Sequence, residues 1–127
     1  MAVWIMMFFS NLLIPSILIS FGSLLKKDAP GQINALFGYR TARSTKNQDT
    51  WKFANNRWGK LAWKFGLWML LGTIAAMITV FFSGEDVITA VGSVLMILQV
   101  ILILITIPMV ERALRKEFDE NGNRRRN

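Results

Sequence analysis

The chain has 127 residues, 53% of them hydrophobic, with no cysteine, no histidine and a formal net charge of +7. Without cysteine it has neither disulfides nor thiol chemistry. Without histidine it lacks the commonest metal ligand and the commonest general base at neutral pH. Its apolar residues are pooled into three runs free of charged side chains, 2–25, 65–84 and 87–110. Each reaches the roughly 20 residues that cross a hydrocarbon core. Three such runs leave too little chain to bury them in a soluble fold. The expected class is an all-α membrane protein, a single polytopic domain over 1–127. Its spans fall near 2–25, 65–83 and 87–110, with a cytoplasmic motif segment at 26–64 and a cytoplasmic tail at 111–127.

The first run lacks the basic start and small-residue cleavage site of a signal peptide, so it reads as a retained helix. Asn11 and Pro15 lie near mid-membrane. Asn11, with the backbone carbonyl that Pro15 leaves unbonded, is a candidate intramembrane polar contact. Ser16, Ser20 and Ser23 share a helical face suited to close packing. Lys26 and Lys27 close the helix. The stretch 28–31 reads as a turn, and Ile33, Leu36 and Phe37 as a short apolar face on the membrane surface. Gly38 stands where an unusual backbone conformation is expected.

The segment 36–64 is the one stretch at once charged, aromatic and patterned. Thr45-x-x-Gln48 matches a capping box, and Asp49 suits a helix N-terminus, so a helix is expected from about Thr45. At ~100° per residue, Trp51, Ala54, Trp58, Ala62 and Phe65 share one side. Lys52, Arg57, Lys60 and Lys64 take the other, interrupted by Phe53 and Trp63. This pattern describes an amphipathic interfacial helix leading into the second span, with its cations toward anionic lipid headgroups.

In the second span, Gly72-x-x-x-Ala76 is a small-residue packing pair. Gly84 suits a helix C-terminus, and Glu85 and Asp86 suit the start of the next helix. So short a link forces an antiparallel hairpin. Gln99 is the one strongly polar residue of the third span and reads as an interhelical hydrogen bond, a second candidate intramembrane contact. The tail begins helical and is expected to end in disorder.

Nine Lys/Arg lie within 26–64 and six in the tail, against only Glu85 and Asp86 between the second and third spans. Positive loops stay in the cytoplasm, which places the N-terminus outside and the C-terminus inside. No P-loop, zincin motif, nucleophile elbow, nucleotide fingerprint or intramembrane carboxylate pair is present. The expectation is a protein that is not an enzyme and takes no cofactor or metal. A basic stretch beside a membrane reads as topology signal and lipid contact rather than nucleic-acid site.

Phe37-Gly38-Tyr39-Arg40-Thr41, then Lys46, then Trp51-Lys52-Phe53-Ala54-Asn55 and Gly59, resemble the signature of the SdpI family. There a Gly-x-Arg-Thr element precedes a Trp-x-x-Ala-Asn helix that leads into a transmembrane span. The resemblance implies a bacterial membrane immunity protein that protects against a secreted sporulation-delaying peptide toxin. It also implies signalling, in which the toxin-bound protein holds a small winged-helix repressor at the membrane. Longer members carry a further N-terminal membrane region, so this chain corresponds to their C-terminal module. The matching residues Gly38, Tyr39, Arg40, Thr41, Lys46, Trp51, Ala54, Asn55 and Gly59 form the expected functional patch. Two other readings stand beside this one. One is a small transporter or channel subunit, with Asn11 and Gln99 lining a pore in a homo-oligomer. The other is a structural subunit of a membrane complex.

Overall fold

An apolar chain in lipid must satisfy its backbone polar groups internally, and the helix is the local way to do so. The computed structural model describes residues 1–27, 31–34 and 38–125. It contains three helices, α1 (Ala2–Lys27), α2 (Gln48–Thr79) and α3 (Glu85–Glu117). All three are long and apolar enough to cross a membrane. Large apolar side chains such as Phe9, Leu13, Leu71 and Leu104 are more than half exposed on their outer faces, a surface that only lipid solvates well. The turn expected at 28–30 and the surface contact expected of Leu36 and Phe37 lie outside the described residues.

The helices run up, down and up. Trp4 Nε1 donates to the carbonyl of Met77 at 2.8 Å, while Gly22 lies against Gly59 and Trp63, so α1 and α2 are antiparallel. Trp58 reaches Thr106 and Gln99 reaches Thr73, so α2 and α3 are antiparallel as well. At 1.5 Å per residue α2 is about 48 Å long and α3 about 50 Å, against a hydrocarbon core of about 30 Å. Their surplus lies at the motif end, because the other ends are joined by the short 80–84 turn.

Several boundaries differ from expectation. α2 is capped by Asn47 and Thr50 rather than by Thr45 and Gln48. The Asn47 side chain accepts from Thr50 N at 2.9 Å, and the Thr50 hydroxyl accepts from Asn47 N at 3.1 Å. Thr45 is occupied elsewhere, its hydroxyl bonded to the carbonyl of Thr41. Gly84 is the N-cap of α3, not the end of α2, which closes at Val80. The tail is not loose through Arg125. Phe118 is 2% exposed and pairs in a β-bridge with Arg124, whose guanidinium holds Asp49 and Glu117.

The small residues that bring helices together are also different ones. A Cβ on Gly59 would strike the backbone of Leu25 and Lys26, and one on Gly22 would lie 2.8 Å from the carbonyl of Gly59. Gly66 meets Ile19 in the same seam. Gly72 is exposed with nothing within 4 Å. Ser16 and Ser20 are exposed and bond to each other along the helix instead of packing. Which small residue faces a partner depends on helix rotation, and local spacing does not specify rotation.

Candidate functional site

The segment before α2 is folded by its own short polar side chains. Gly38 has φ +109°, a conformation that side chains with a Cβ avoid. The chain thereby turns onto the start of α2. Tyr39 N donates to Asn55 Oδ1 at 2.7 Å, and Asn55 Nδ2 donates to the carbonyl of Trp51 at 2.9 Å. Asn55 is thus a fully buried clamp between the motif and its helix. Ser44 Oγ accepts from Thr41 N at 2.8 Å, and Ser44 N donates to Thr41 Oγ1 at 3.2 Å. Thr50 Oγ1 donates to the carbonyl of Ser44 at 3.0 Å. These hydrogen bonds close the loop around its two buried residues, Tyr39 and Ser44.

The Tyr39 ring packs with Ala54, Val110, Leu114 and Phe118. Its hydroxyl donates to Glu111 Oε1 at 2.9 Å and lies 3.3 Å from the carbonyl of Ile107. Arg43 approaches the other oxygen of Glu111 at 3.9 Å. Burial, and next the hydrogen bond to Glu111, push the Tyr39 phenol above its ordinary value. A phenol is protonated at neutral pH in any case, and the shift keeps this one protonated and donating further into the alkaline range. The motif is in this way tied to the end of α3 as well as to α2.

Between α1, α3 and this loop lies a recess of about 390 Å³, within the roughly 300–1,000 Å³ range of ligand sites. Phe21 and Leu25 of α1 form one wall, Ile103 and Ile107 of α3 the other. Trp58 of α2 lies between them, its Nε1 donating to Thr106 Oγ1 at 3.2 Å. Gly38, Tyr39, Arg40 and Thr41 complete the lining. Arg40 is exposed and forms no ion pair among the described residues. The result is a mostly apolar groove whose polar end carries a guanidinium with no ion pair among the described residues.

The remaining expected residues divide. Trp51 and Ala54 are fully buried behind the motif, so Trp51 is anchored in protein. Lys46 is exposed beside Gly122 of the tail, away from the groove. Gly59 belongs to the crossing with α1. Asn11 and Gln99 do meet, at a separate mid-bundle junction. Pro15 has no N–H for the carbonyl of Asn11, and Gln99 Nε2 supplies the missing donor at 3.0 Å while also reaching Thr73 Oγ1 at 3.0 Å. Asn11 Nδ2 bonds the carbonyl of Met7. Interhelical bonds of this kind contribute about 0.6 kcal/mol each in membranes. The groove residues Phe21, Leu25, Trp58, Ile103, Thr106 and Ile107 carried no sequence signal of a site, apart from Thr106 lying seven residues after Gln99 on the same face.

Three membrane-length helices, with a polar loop folded onto one end, define a multi-pass helical membrane protein. The SdpI/YfhL protein family matches residues 32–110, more than half of the chain, and the chain belongs to that family. The matched stretch takes in the motif loop, all of α2 and most of α3. It leaves out α1, which supplies one wall of the groove. No curated protein and no solved structure matches the chain.

Proposed function

We propose that the chain is an immunity and signalling protein of the bacterial cell membrane, with its N-terminus outside and its tail in the cytoplasm. It binds an apolar segment of a secreted peptide toxin within the bilayer. A carboxylate of that peptide pairs with Arg40, and the occupied motif segment is presented to a small repressor. The observation that carries this reading is the placement of the Gly38-Tyr39-Arg40-Thr41 element along an apolar groove between α1 and α3. Groove and guanidinium together fit a ligand that is mostly apolar with one acidic group. A guanidinium binds a carboxylate through a planar fork that an ammonium cannot reproduce.

The test is survival of cells exposed to toxin at matched membrane expression. Arg40→Lys is expected to lower the protective toxin concentration about tenfold or more, since charge-assisted hydrogen bonds contribute roughly 1.5–3 kcal/mol. Lys46→Arg, an exposed change outside the groove, is expected to leave protection intact. Full protection by Arg40→Lys returns Arg40 to the role of a topology charge, for which lysine serves equally.

A further inference from the structure

A second recess, of about 310 Å³, lies on the other side of α2. At ~100° per residue, Asp49, Phe53, Asn56 and Lys60 fall roughly opposite Trp58, and all four line this cleft together with Lys52 and Arg57. The tail adds Arg124. The one acid present, Asp49, is taken by Arg124, whose Nε and Nη2 hold its two oxygens at 3.0 Å each. Lys52, Arg57 and Lys60 are exposed and have no acidic partner among the described residues. Asn56 Oδ1 is buried in the same wall with no hydrogen-bond partner among them. The folded tail thus neutralises the acid of the cleft and leaves its three α2 cations uncompensated.

Depth decides what such a site meets. Gly59 packs on the backbone of Leu25 and Lys26, so Lys60 is level with the end of the first span. Lys26 at that level sits 3.7 Å over the ring of Trp63. Lys52 lies eight residues earlier, about 12 Å farther from the bilayer centre. The headgroup layer extends roughly 5–8 Å beyond the hydrocarbon on each side. The cleft therefore spans the layer in which lipid phosphates lie.

We propose that the cleft binds the phosphate of an anionic phospholipid through Lys52, Arg57 and Lys60. This site is independent of the toxin reading of the groove.

The test uses the full chain in detergent micelles, with the unfolding midpoint followed by tryptophan fluorescence. Added phosphatidylglycerol is expected to raise the midpoint saturably, and phosphatidylcholine to leave it unchanged. The triple variant Lys52→Gln/Arg57→Gln/Lys60→Gln should raise the half-saturating phosphatidylglycerol concentration at least about tenfold. Lys60→Gln alone, a change at an exposed position, should raise it about threefold to fivefold. Arg112→Gln/Arg115→Gln/Lys116→Gln removes the same charge from exposed positions on α3 and should leave it within about twofold. Equal loss in both triple variants, or an equal response to phosphatidylcholine, overturns the site. So does saturation by pyrophosphate or a polyglutamate peptide at a lower concentration than the lipid, which assigns the cleft to a soluble anion or an acidic partner.

Discussion

Along α2, α1 meets glycine, and along α3 near the motif it meets isoleucine. In the first seam Gly22, Gly59 and Gly66 let the backbones touch, so closely that an added Cβ at Gly59 would collide with backbone atoms of Leu25 and Lys26. In the second seam Phe21 and Leu25 of α1 and Ile103 and Ile107 of α3 line the groove. Small residues make a closed interface and large ones line a recess, and the same helix supplies both. The polar loop then belongs to the open seam. Its Tyr39, Asn55 and Glu111 contacts fasten it to α2 and α3 and leave Arg40 with no ion pair among the described residues.

The sharpest way to break this contrast is to put a methyl group into the closed seam. Gly59→Ala is expected to lower stability by about 1–3 kcal/mol or more, because the atoms in its way are backbone and the helices must part. Gly72→Ala, at the first member of the Gly72-x-x-x-Ala76 pair that sequence spacing favoured, should be neutral or stabilise by up to about 1 kcal/mol. Thermal unfolding of the two variants in the same detergent makes the comparison. Equal effects would show that the Gly59 crossing is not tight.

A smaller change loosens the loop. Asn55→Ala leaves Tyr39 N–H and the Trp51 carbonyl without their side-chain partner, an expected cost of about 1–3 kcal/mol. Arg40→Gln should cost nothing measurable in the same unfolding assay, since Arg40 forms no ion pair among the described residues. Loss of stability in both would mean that Arg40 holds the fold.

The mildest probe is titration. Tyr39 is the single tyrosine of the chain, so phenolate absorbance reports it alone. Its folded value is raised above the ordinary 10.0. The corresponding stabilisation is complete below about pH 10 and is lost as pH climbs through the raised value. Phenolate in the folded protein should appear only above the pH at which it appears in denaturant. Coincident titrations would contradict a buried, Glu111-bonded phenol.

Much of this was legible in the sequence. Charge-free runs set the three spans, the short 80–84 link set the hairpin, and Gly38 stood out as a turn, while Asn55 stood out only as a motif residue and its clamp on Tyr39 N came from the fold. Gln99 was legible as a helix-to-helix bond, though its acceptor, the carbonyl released by Pro15, is 88 residues away. Two capping patterns overlap between Thr45 and Thr50, and the choice between them rests on Thr45 being drawn into the Thr41 turn. The tail carried one clue, the aromatic Phe118 among charges, but its seat beside Phe53 is a tertiary fact. The groove was hidden for a plainer reason. Phe21, Leu25, Ile103 and Ile107 look like any lipid-facing residues until the helices are assembled.

The most direct test of the central claim fills the groove without touching its charge. Ile107 lines the recess and is 41% exposed, so tryptophan there occupies ligand space without overpacking the core. Leu104, 57% exposed on the same helix and outside the recess, is the control. The measurement is the toxin concentration that halves survival, at matched membrane expression and unfolding midpoint. Ile107→Trp should abolish protection and Leu104→Trp preserve it. Full protection by Ile107→Trp would contradict a role for the groove in binding toxin.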